Sequence, residues 1–195
     1  MKQPAVFLDR DGTINEQMGY INHISRFHLL PGVPEGIRLL NEHGYLVILV
    51  SNQSGVARGY FPIELVHEVH AQLKALLRAH DARLDEIFFC PHYATGEISE
   101  YSKPCDCRKP GPGMVRKAVE RFEIDMTNSY MIGDRHTDIE MAERCEVKGV
   151  LVKTGYGLGD LKYVLPQKDL KPAYIAADLL DAARWIIRSR RENSP

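Results

Sequence analysis

The segment 45–50 constrains the fold most strongly, because its sequence Tyr-Leu-Val-Ile-Leu-Val is an uninterrupted apolar run. A strand with one face in solvent would alternate apolar and polar side chains. A run without alternation is typical of a parallel strand that is covered on both faces. Further strands are predicted from short apolar runs at 6–8, 86–89, 129–132, 149–153 and 173–175. The sequence therefore predicts an α/β fold, a Rossmann-like three-layer sandwich with a mostly parallel sheet.

Helices are predicted between these strands. One should run from about Val33 to His43, with Gly44 as its C-cap. The next should bury a single stripe of residues at helical spacing, namely Ile63, Val66, Val69, Leu73, Leu76 and Leu77. Further helices are predicted at about 113–122, between the fourth and fifth strands, and at about 179–187 before a basic tail.

Polar and reactive side chains directly follow several of the predicted strands. Asp9, Ser51, Cys90 and Asp134 each lie where a strand gives way to a loop. Open parallel sheets bind ligands outside the carboxyl ends of their strands, so these residues should converge. A surface turn is the alternative for Asp-Gly, but it would not predict polar residues at the same end of every strand. We therefore expect a functional site at this edge.

Two acids at this edge indicate a cation. Asp9 and Asp11 are two positions apart, so in extended backbone their carboxylates would lie on one side, about 6 to 7 Å apart. Carboxylates brought to about 4 Å repel by about 4 kcal/mol at an effective dielectric near 20. Oxygen ligands of this kind suit Mg²⁺, which leaves positions open for water and phosphate.

Length and composition predict one domain over 1–195, with a flap at about 14–31 and a second long loop at about 90–109. The net charge of −1 gives no electrostatic footprint for nucleic acid. The sequence shows no signal peptide and no membrane-spanning run, so we expect a cytoplasmic protein without a membrane partner. A monomer is the default expectation.

The motif residues resemble the haloacid dehalogenase (HAD) superfamily of phosphohydrolases. The resemblance rests on Asp9-x-Asp11-Gly12-Thr13, Ser51 after the second strand, Lys109 after the third, and Gly133-Asp134 with Asp138 after the fourth. More narrowly, the segments 51–59 and 90–110 resemble the heptose-1,7-bisphosphate 7-phosphatase family. The histidinol-phosphate phosphatase domain is the other relative with similar elements.

This resemblance implies catalytic roles. Asp9 would be the nucleophile that forms an aspartyl-phosphate. Asp11 would be the general acid and then the base, with a pKa nearer neutrality than that of Asp9. Ser51 would donate its hydroxyl to a phosphoryl oxygen, and Lys109 would stabilise charge on the transferring group.

The resemblance also implies the magnesium site. Mg²⁺ would bind the carboxylates of Asp9 and Asp134 and the main-chain carbonyl of Asp11. Asp138 would orient Lys109 or a metal-bound water and would not bind the ion directly.

Zinc is the second expected metal. Cys90, His92, Cys105 and Cys107 form a thiolate-rich set suited to a closed tetrahedral site. A disulfide between two of them is the alternative, which a reducing cytosol disfavours. Zinc would hold the loop that delivers Arg108 and Lys109. The fourth cysteine, Cys145, lies in a helical pattern and is expected to be an apolar filler.

The implied substrate is a small phosphorylated sugar, because the two loops leave only a minimal cap. The implied activity is removal of the 7-phosphate of a heptose 1,7-bisphosphate during synthesis of nucleotide-activated heptose for lipopolysaccharide or surface glycans. Arg108 and Arg135 would bind the second phosphate, with a solvated surface role as the alternative. The residues expected to contact the sugar are Gln17, Met18, Gly19, Tyr20, Asn52, Gln53 and Ser54.

Two other functions stay open at this point. Histidinol-phosphate phosphatase is the enzymatic alternative, although the stretch 93–104 is longer than expected for it. A zinc-stabilised nucleic-acid-binding module or a DNA 3′-phosphatase has support only from the basic cluster at 188–191, which as a helix end is more simply explained by solvation.

Overall fold

The computed structural model describes residues 2–192. Its sheet has six parallel strands in the order β3-β2-β1-β4-β5-β6. The strands are β1 (Ala5–Leu8), β2 (Leu46–Asn52), β3 (Glu86–Cys90), β4 (Tyr130–Gly133), β5 (Lys148–Val152) and β6 (Tyr174–Ala176). The predicted α/β class with a parallel sheet is therefore confirmed.

Seven α-helices accompany the strands within the described residues. They are α1 (Val33–Glu42), α2 (Ile63–Arg78), α3 (Gly113–Arg121), α4 (His136–Arg144), α5 (Gly157–Gly159), α6 (Leu165–Lys168) and α7 (Leu179–Glu192). Short 3₁₀ helices lie at Ile24–Arg26 and Met126–Asn128, and a π-helical turn lies at Asp160–Val164. No described helix has both the length and the apolar character needed to cross a membrane.

Successive side chains of the central strands point to opposite faces of the sheet, so there are two hydrophobic cores, one on each face. Val6 and Leu8 of β1 pack with residues of α1, α2 and α7. Ala5 and Phe7 point the other way and pack with residues of α3 and α4. Because both faces are covered, β2 is apolar at every position from Leu46 to Val50, as its sequence predicted, and the buried Ser51 is the first polar residue of the strand.

Several predicted bounds were wrong. Helix α7 continues past Ile187 to Glu192, because the arginines that follow its apolar stripe are good helix formers. Leu76 is 36% exposed while Leu77 is buried, since adjacent helical residues are turned about 100° from one another and do not share a face. The segment 157–168 was missed because its three helical pieces are too short to show a period. Positions 1 and 193–195 of the predicted domain lie outside the described residues.

The strand order explains where a site can form. Strand β1 is central and pairs with β2 on one side and with β4 on the other. The chain leaves β1 towards β2 on one side and leaves the adjacent β4 towards β5 on the other, so a crevice opens beyond the carboxyl ends of these two strands. The main-chain N–H of Asp9 donates to the carbonyl of Ile132, which places Asp9 at the mouth of this crevice.

Candidate active site

A cavity of about 320 Å³ lies at the carboxyl edge of the sheet. Its lining comes from the loops after β1, β2, β4 and β5, from the flap and from the second long loop. Most of the residues that we predicted for the site line it. Met18 and Ser51 are not among the lining residues within 2–192.

Lys109 lies at the centre of this edge. Its ammonium is 2.6 Å from Asp9 Oδ1 and 2.7 Å from Asp138 Oδ1, and it donates to the carbonyl of Val50 at 2.9 Å. Burial works against the charge of Lys109, but the Asp138 and Asp9 carboxylates outweigh burial and raise its pKa. The lysine is therefore charged and fixed beside Asp9.

The carboxylates here exceed the positive charge beside them. Asp9, Asp134 and Asp138 each place a carboxylate oxygen within 4.8 Å of the other two. Burial raises the pKa of Asp9 to about 6, against the effect of Lys109. Burial, with the charges of Asp9 and Asp138, raises the pKa of Asp134 to about 8. Three acids around one ammonium call for a further cation.

Asp134 has one oxygen free for such a cation. Its Oδ2 accepts the main-chain N–H of Tyr156 at 2.8 Å, whereas the buried Oδ1 has no hydrogen-bond partner. Gly12 and Gly155 both have positive φ, and a Cβ on either would overlap this carboxylate. The two glycines thus let the backbone close around Asp134. This donor set fits Mg²⁺, which prefers carboxylate and carbonyl oxygens.

Asp11 is held by donors on several sides. Arg10 Nη2 lies 3.0 Å from Oδ1 and 2.8 Å from Oδ2. Asn15 donates to Oδ1 at 3.0 Å and Gln53 donates to Oδ2 at 2.9 Å. Burial would raise the pKa of Asp11, but Arg10 and these hydrogen bonds lower it. The prediction that the pKa of Asp11 lies nearer neutrality than that of Asp9 is therefore wrong for this state of the protein.

The residues after Ser51 bond to the catalytic candidates themselves. Asn52 Oδ1 accepts the main-chain N–H of Lys109 at 2.9 Å, and its Nδ2 donates to the Lys109 carbonyl at 3.2 Å. Gln53 Nε2 also donates to Ser51 Oγ at 2.8 Å. Asn52 and Gln53 line the cavity, as does Ser54. The amides of Asn52 and Gln53 are nevertheless committed to protein partners, which the sequence did not indicate.

Arginine guanidinium groups line one part of the cavity, which we call the outer cavity. Arg108 and Arg135, which we predicted for a second phosphate, both line it, and Arg58 joins them. Arg58 and Arg108 contact the same ring, with their Cζ atoms 3.6 and 5.2 Å from the centroid of Tyr93. Among residues 2–192, neither has an ion pair with a carboxylate. The outer cavity is therefore suited to an anion.

Arg135 is held in place by Asp160 and the ring of Tyr156. Its Nε donates to Asp160 at 3.2 Å, and its guanidinium lies 4.6 Å from the centre of the Tyr156 ring. The hydrogen bonds from His136 and the charge of Arg135 lower the pKa of Asp160, although burial opposes them. Asp160 therefore stays ionised and keeps Arg135 at the cavity.

The flap reaches the cavity through Gln17, Gly19 and Tyr20. Gln17 Oε1 accepts the main-chain N–H of Gly19 at 2.9 Å. Tyr20 packs edge to face against Tyr60, with ring centroids 4.8 Å apart. This loop closes one side of the cavity and leaves the rest open, in line with a minimal cap.

The second long loop begins and ends at a cluster of sulfur and nitrogen ligands. Cys107 Sγ lies 2.9 Å from Cys90 Sγ and 3.4 Å from Cys105 Sγ, and His92 Nδ1 lies 3.3 Å from Cys107 Sγ. All four cysteines of the described chain are free thiols. The ligand atoms of Cys90, His92, Cys105 and Cys107 all lie within 4.8 Å of one another, and three thiolates with one imidazole are a ligand set of structural zinc sites. The set fits zinc, and the alternative of a disulfide does not occur here.

Curated relatives match almost the whole chain. The D-glycero-D-manno-heptose-1,7-bisphosphate 7-phosphatase of Thermosynechococcus vestitus is 42% identical over 190 residues, which cover 95% of this chain and 96% of that protein. The D-glycero-beta-D-manno-heptose-1,7-bisphosphate 7-phosphatase of Escherichia coli K12 is 37% identical, with 96% of each chain covered. The chain belongs to the heptose-1,7-bisphosphate 7-phosphatase family.

Two further comparisons agree with membership of this family. The HAD-hydrolase-like family model matches residues 106–182. The solved D,D-heptose 1,7-bisphosphate phosphatase from B. bronchiseptica, complexed with magnesium and phosphate, aligns with a TM-score of 0.83 at 30% identity and covers 97% of this chain and 99% of that one. The predicted superfamily is confirmed, and as a member of this family the protein is a phosphoric monoester hydrolase.

Besides Arg58 and Tyr156, sequence reasoning assigned no site role to Arg10 and His70. Arg10 stands between the two acids, and its charge could have drawn attention. His70 is 6% exposed and its Nε2 lies 3.5 Å from Arg10 Nη1. Burial and the charge of Arg10 lower the pKa of His70 to about 3. The imidazole is therefore neutral, and only the fold could reveal this.

Replacing Lys109 with Met should lower activity by at least about 10²-fold, because the group that stabilises charge beside Asp9 is lost. In magnesium-free buffer the free energy of unfolding should also fall by about 3 kcal/mol, since buried Asp9 and Asp138 lose their partner. Steady-state rates and denaturant titrations measure these effects. Lys171→Met, at a site 83% exposed, is the matched control. A stable, active Lys109→Met variant would contradict the role of this lysine.

Proposed function

We propose that this protein removes the 7-phosphate of D-glycero-D-manno-heptose 1,7-bisphosphate through a phosphorylated Asp9. The observation that carries the proposal is the position of Asp9, at the end of the central strand with its carboxylate 2.6 Å from the Lys109 ammonium. The full-length similarity to enzymes named for this reaction supports the choice of substrate. The reaction would belong to the synthesis of nucleotide-activated heptose in the cytoplasm, with the protein acting as a monomer.

The first step uses Asp9 and Asp11. Asp9 attacks phosphorus through a carboxylate oxygen, and the bond between phosphorus and the sugar oxygen breaks. Asp11 gives its proton to the departing alkoxide, so the leaving group is a neutral alcohol. Because Asp11 is ionised in the substrate-free site, it must take up this proton before or during substrate binding.

The second step regenerates Asp9. Asp11, now a carboxylate, takes a proton from a water molecule that attacks the phosphorus of the phosphorylated Asp9. The bond between phosphorus and the Asp9 oxygen breaks, which releases phosphate. Lys109 and the Ser51 hydroxyl would stabilise the phosphoryl oxygens in both steps.

Mg²⁺ is the proposed cofactor, with Asp9 and Asp134 as carboxylate ligands and Asp11 as a carbonyl ligand. When bound, it supplies positive charge that polarises the phosphoryl group and offsets the repulsion between acids. The partnerless oxygen of Asp134 supports this assignment. Asp138, which lies 2.7 Å from Lys109, would orient the lysine.

The charge of the outer cavity favours a bisphosphate over histidinol phosphate. Arg58, Arg108 and Arg135 line the region where the rest of the substrate must lie. A second phosphate can bind guanidinium groups bidentately, whereas the ammonium of histidinol would be repelled by them. The sugar hydroxyls would meet the flap at Gln17, Gly19 and Tyr20, and the loop at Ser54.

A phosphate-release panel tests the proposed substrate. It should contain the α and β anomers of the heptose bisphosphate, histidinol phosphate and a 3′-phosphorylated oligonucleotide. We expect kcat/KM for at least one heptose anomer to exceed that for histidinol phosphate by about 10²-fold or more, a ratio that lost charge contacts can produce. Phosphorus NMR of the product should show that the anomeric phosphate remains. A preference for histidinol phosphate or for the oligonucleotide would overturn the assignment.

A further inference from the structure

Arg10 is a deeply buried cationic side chain beside the two acids. It is 2% exposed, although it stands between Asp9 and Asp11 at the mouth of the cavity. A buried guanidinium is costly unless its donors are satisfied. The hydrogen-bond partners of Arg10 therefore indicate its role.

The guanidinium of Arg10 is directed at Asp11. Its Nη2 lies within 3.0 Å of both carboxylate oxygens, and its Nε lies 3.3 Å from Oδ1. A planar guanidinium that contacts a carboxylate through two nitrogens fixes the plane as well as the position of that carboxylate. Lysine could supply the charge but not this orientation.

The other side of Arg10 is anchored in the protein. Nη2 also donates to Gln53 Oε1 at 3.0 Å, and Nη1 lies 3.5 Å from His70 Nε2. His70 belongs to α2 and does not line the cavity. The guanidinium is thus fixed between Gln53, which directly follows β2, and a neutral imidazole on α2 that lies outside the cavity lining.

We propose that Arg10 is a positioning residue that orients the Asp11 carboxylate for proton transfer, with Gln53 and His70 as its anchors. This inference rests on the proposed acid and base role of Asp11. Arg10 acts through Asp11 and does not stabilise the phosphoryl group, which is the proposed role of Lys109. A misplacement of about 1 Å in a catalytic group can cost about 10²-fold in rate, so loss of this orientation should be measurable.

The dependence on the leaving group distinguishes this role from a structural one. An alkoxide leaving group needs the proton of Asp11 in the first step, whereas a nitrophenolate departs without one. The value of kcat/KM reports the steps up to departure of the leaving group. A badly oriented Asp11 should therefore impair an alkyl phosphate far more than p-nitrophenyl phosphate.

The experiment compares Arg10→Met, Arg10→Lys, His70→Leu and Asp11→Asn on the heptose bisphosphate and on p-nitrophenyl phosphate. We expect Arg10→Met to lower kcat/KM for the sugar by about 10- to 100-fold and for the aryl ester by less than about threefold. Arg10→Lys should show a smaller selective loss of kcat/KM for the sugar, because lysine keeps the positive charge but lacks the planar guanidinium that fixes the carboxylate. His70→Leu, which changes only the anchor, should show a selective loss of a few-fold and tests the proposal even if Arg10→Met is unstable.

Each outcome bears on a different assignment. Equal losses on both esters for Arg10→Met and His70→Leu would overturn the positioning role, since they would indicate direct phosphate binding or general damage. No loss on either ester would also overturn it. Asp11→Asn is the reference: if that variant shows no dependence on the leaving group, the acid role itself fails, and the proposed function must be revised independently of Arg10.

Discussion

Replacement of Asp9 by Asn is expected to lower phosphate release by at least about 10³-fold, as loss of a covalent nucleophile does in other enzymes. The amide has nearly the same shape as the carboxylate and can still accept the hydrogen bond from Lys109. It carries no charge with which to attack phosphorus. Steady-state release of phosphate from the heptose bisphosphate measures the effect. Activity close to that of the unchanged protein would mean that the nucleophile is misassigned.

The same variant should remain folded. Asp9 is one of three clustered carboxylates, and burial raises its pKa to about 6. Its negative charge is therefore unfavourable for folding when no metal ion is bound. Removing that charge should leave Tm unchanged or raise it, as often happens when catalytic charges are neutralised. Calorimetry in magnesium-free buffer checks this. Asp169→Asn, at a side chain 88% exposed, is the matched control and should change neither Tm nor activity.

Loss of the zinc ligands is expected to lower stability and activity together. In Cys107→Ser the loop 90–107 would lose its cross-link. By analogy with other cross-links of loops this size, the free energy of unfolding should fall by about 3 kcal/mol, or about 6 to 12 °C in Tm for a domain of this length. Lys109 follows Cys107 by two residues, so a loosened loop should also displace the Lys109 ammonium from its proposed catalytic position. Zinc content, Tm and kcat measure the three effects.

Cys145→Ser is the control for this experiment. Cys145 is a free thiol that caps α4 and lies outside the cluster of four ligands. The variant should keep its zinc and its activity. Full activity in zinc-free Cys107→Ser would show that the metal does not hold Lys109 in place, and loss of zinc from Cys145→Ser would show that the ligand set is wrong.

The sheet and its functional edge could be predicted because their signals are local. The apolar run of β2 indicates a strand buried on both faces without reference to any other segment. Asp9, Ser51 and Asp134 each follow such a run, and parallel strands bring their carboxyl ends together. The convergence of Cys90, His92, Cys105 and Cys107 could be predicted because few other roles suit such a set of side chains.

The hydrogen bonds between residues of the site could not be predicted in the same way. Gln53 bonds to Arg10 and Asp11 from more than forty positions away, and Asn52 bonds to Lys109 from 57 positions away. These contacts depend on side-chain directions that strand spacing does not determine. The pKa of Asp11 was predicted in the wrong direction for this reason, because the guanidinium of Arg10 could equally have pointed into solvent.

The reciprocal hydrogen bonds between Asn52 and the main chain of Lys109 bear on how enzymes of this kind diversify. Together with the proposed zinc ligands Cys105 and Cys107, they would anchor the Lys109 end of the loop from two directions. The intervening stretch 93–104, whose Tyr93 ring contacts Arg58 and Arg108, does not take part in this anchoring. Natural or laboratory evolution could therefore exchange this stretch to recognise another phosphorylated metabolite while the hydrolytic apparatus stays intact.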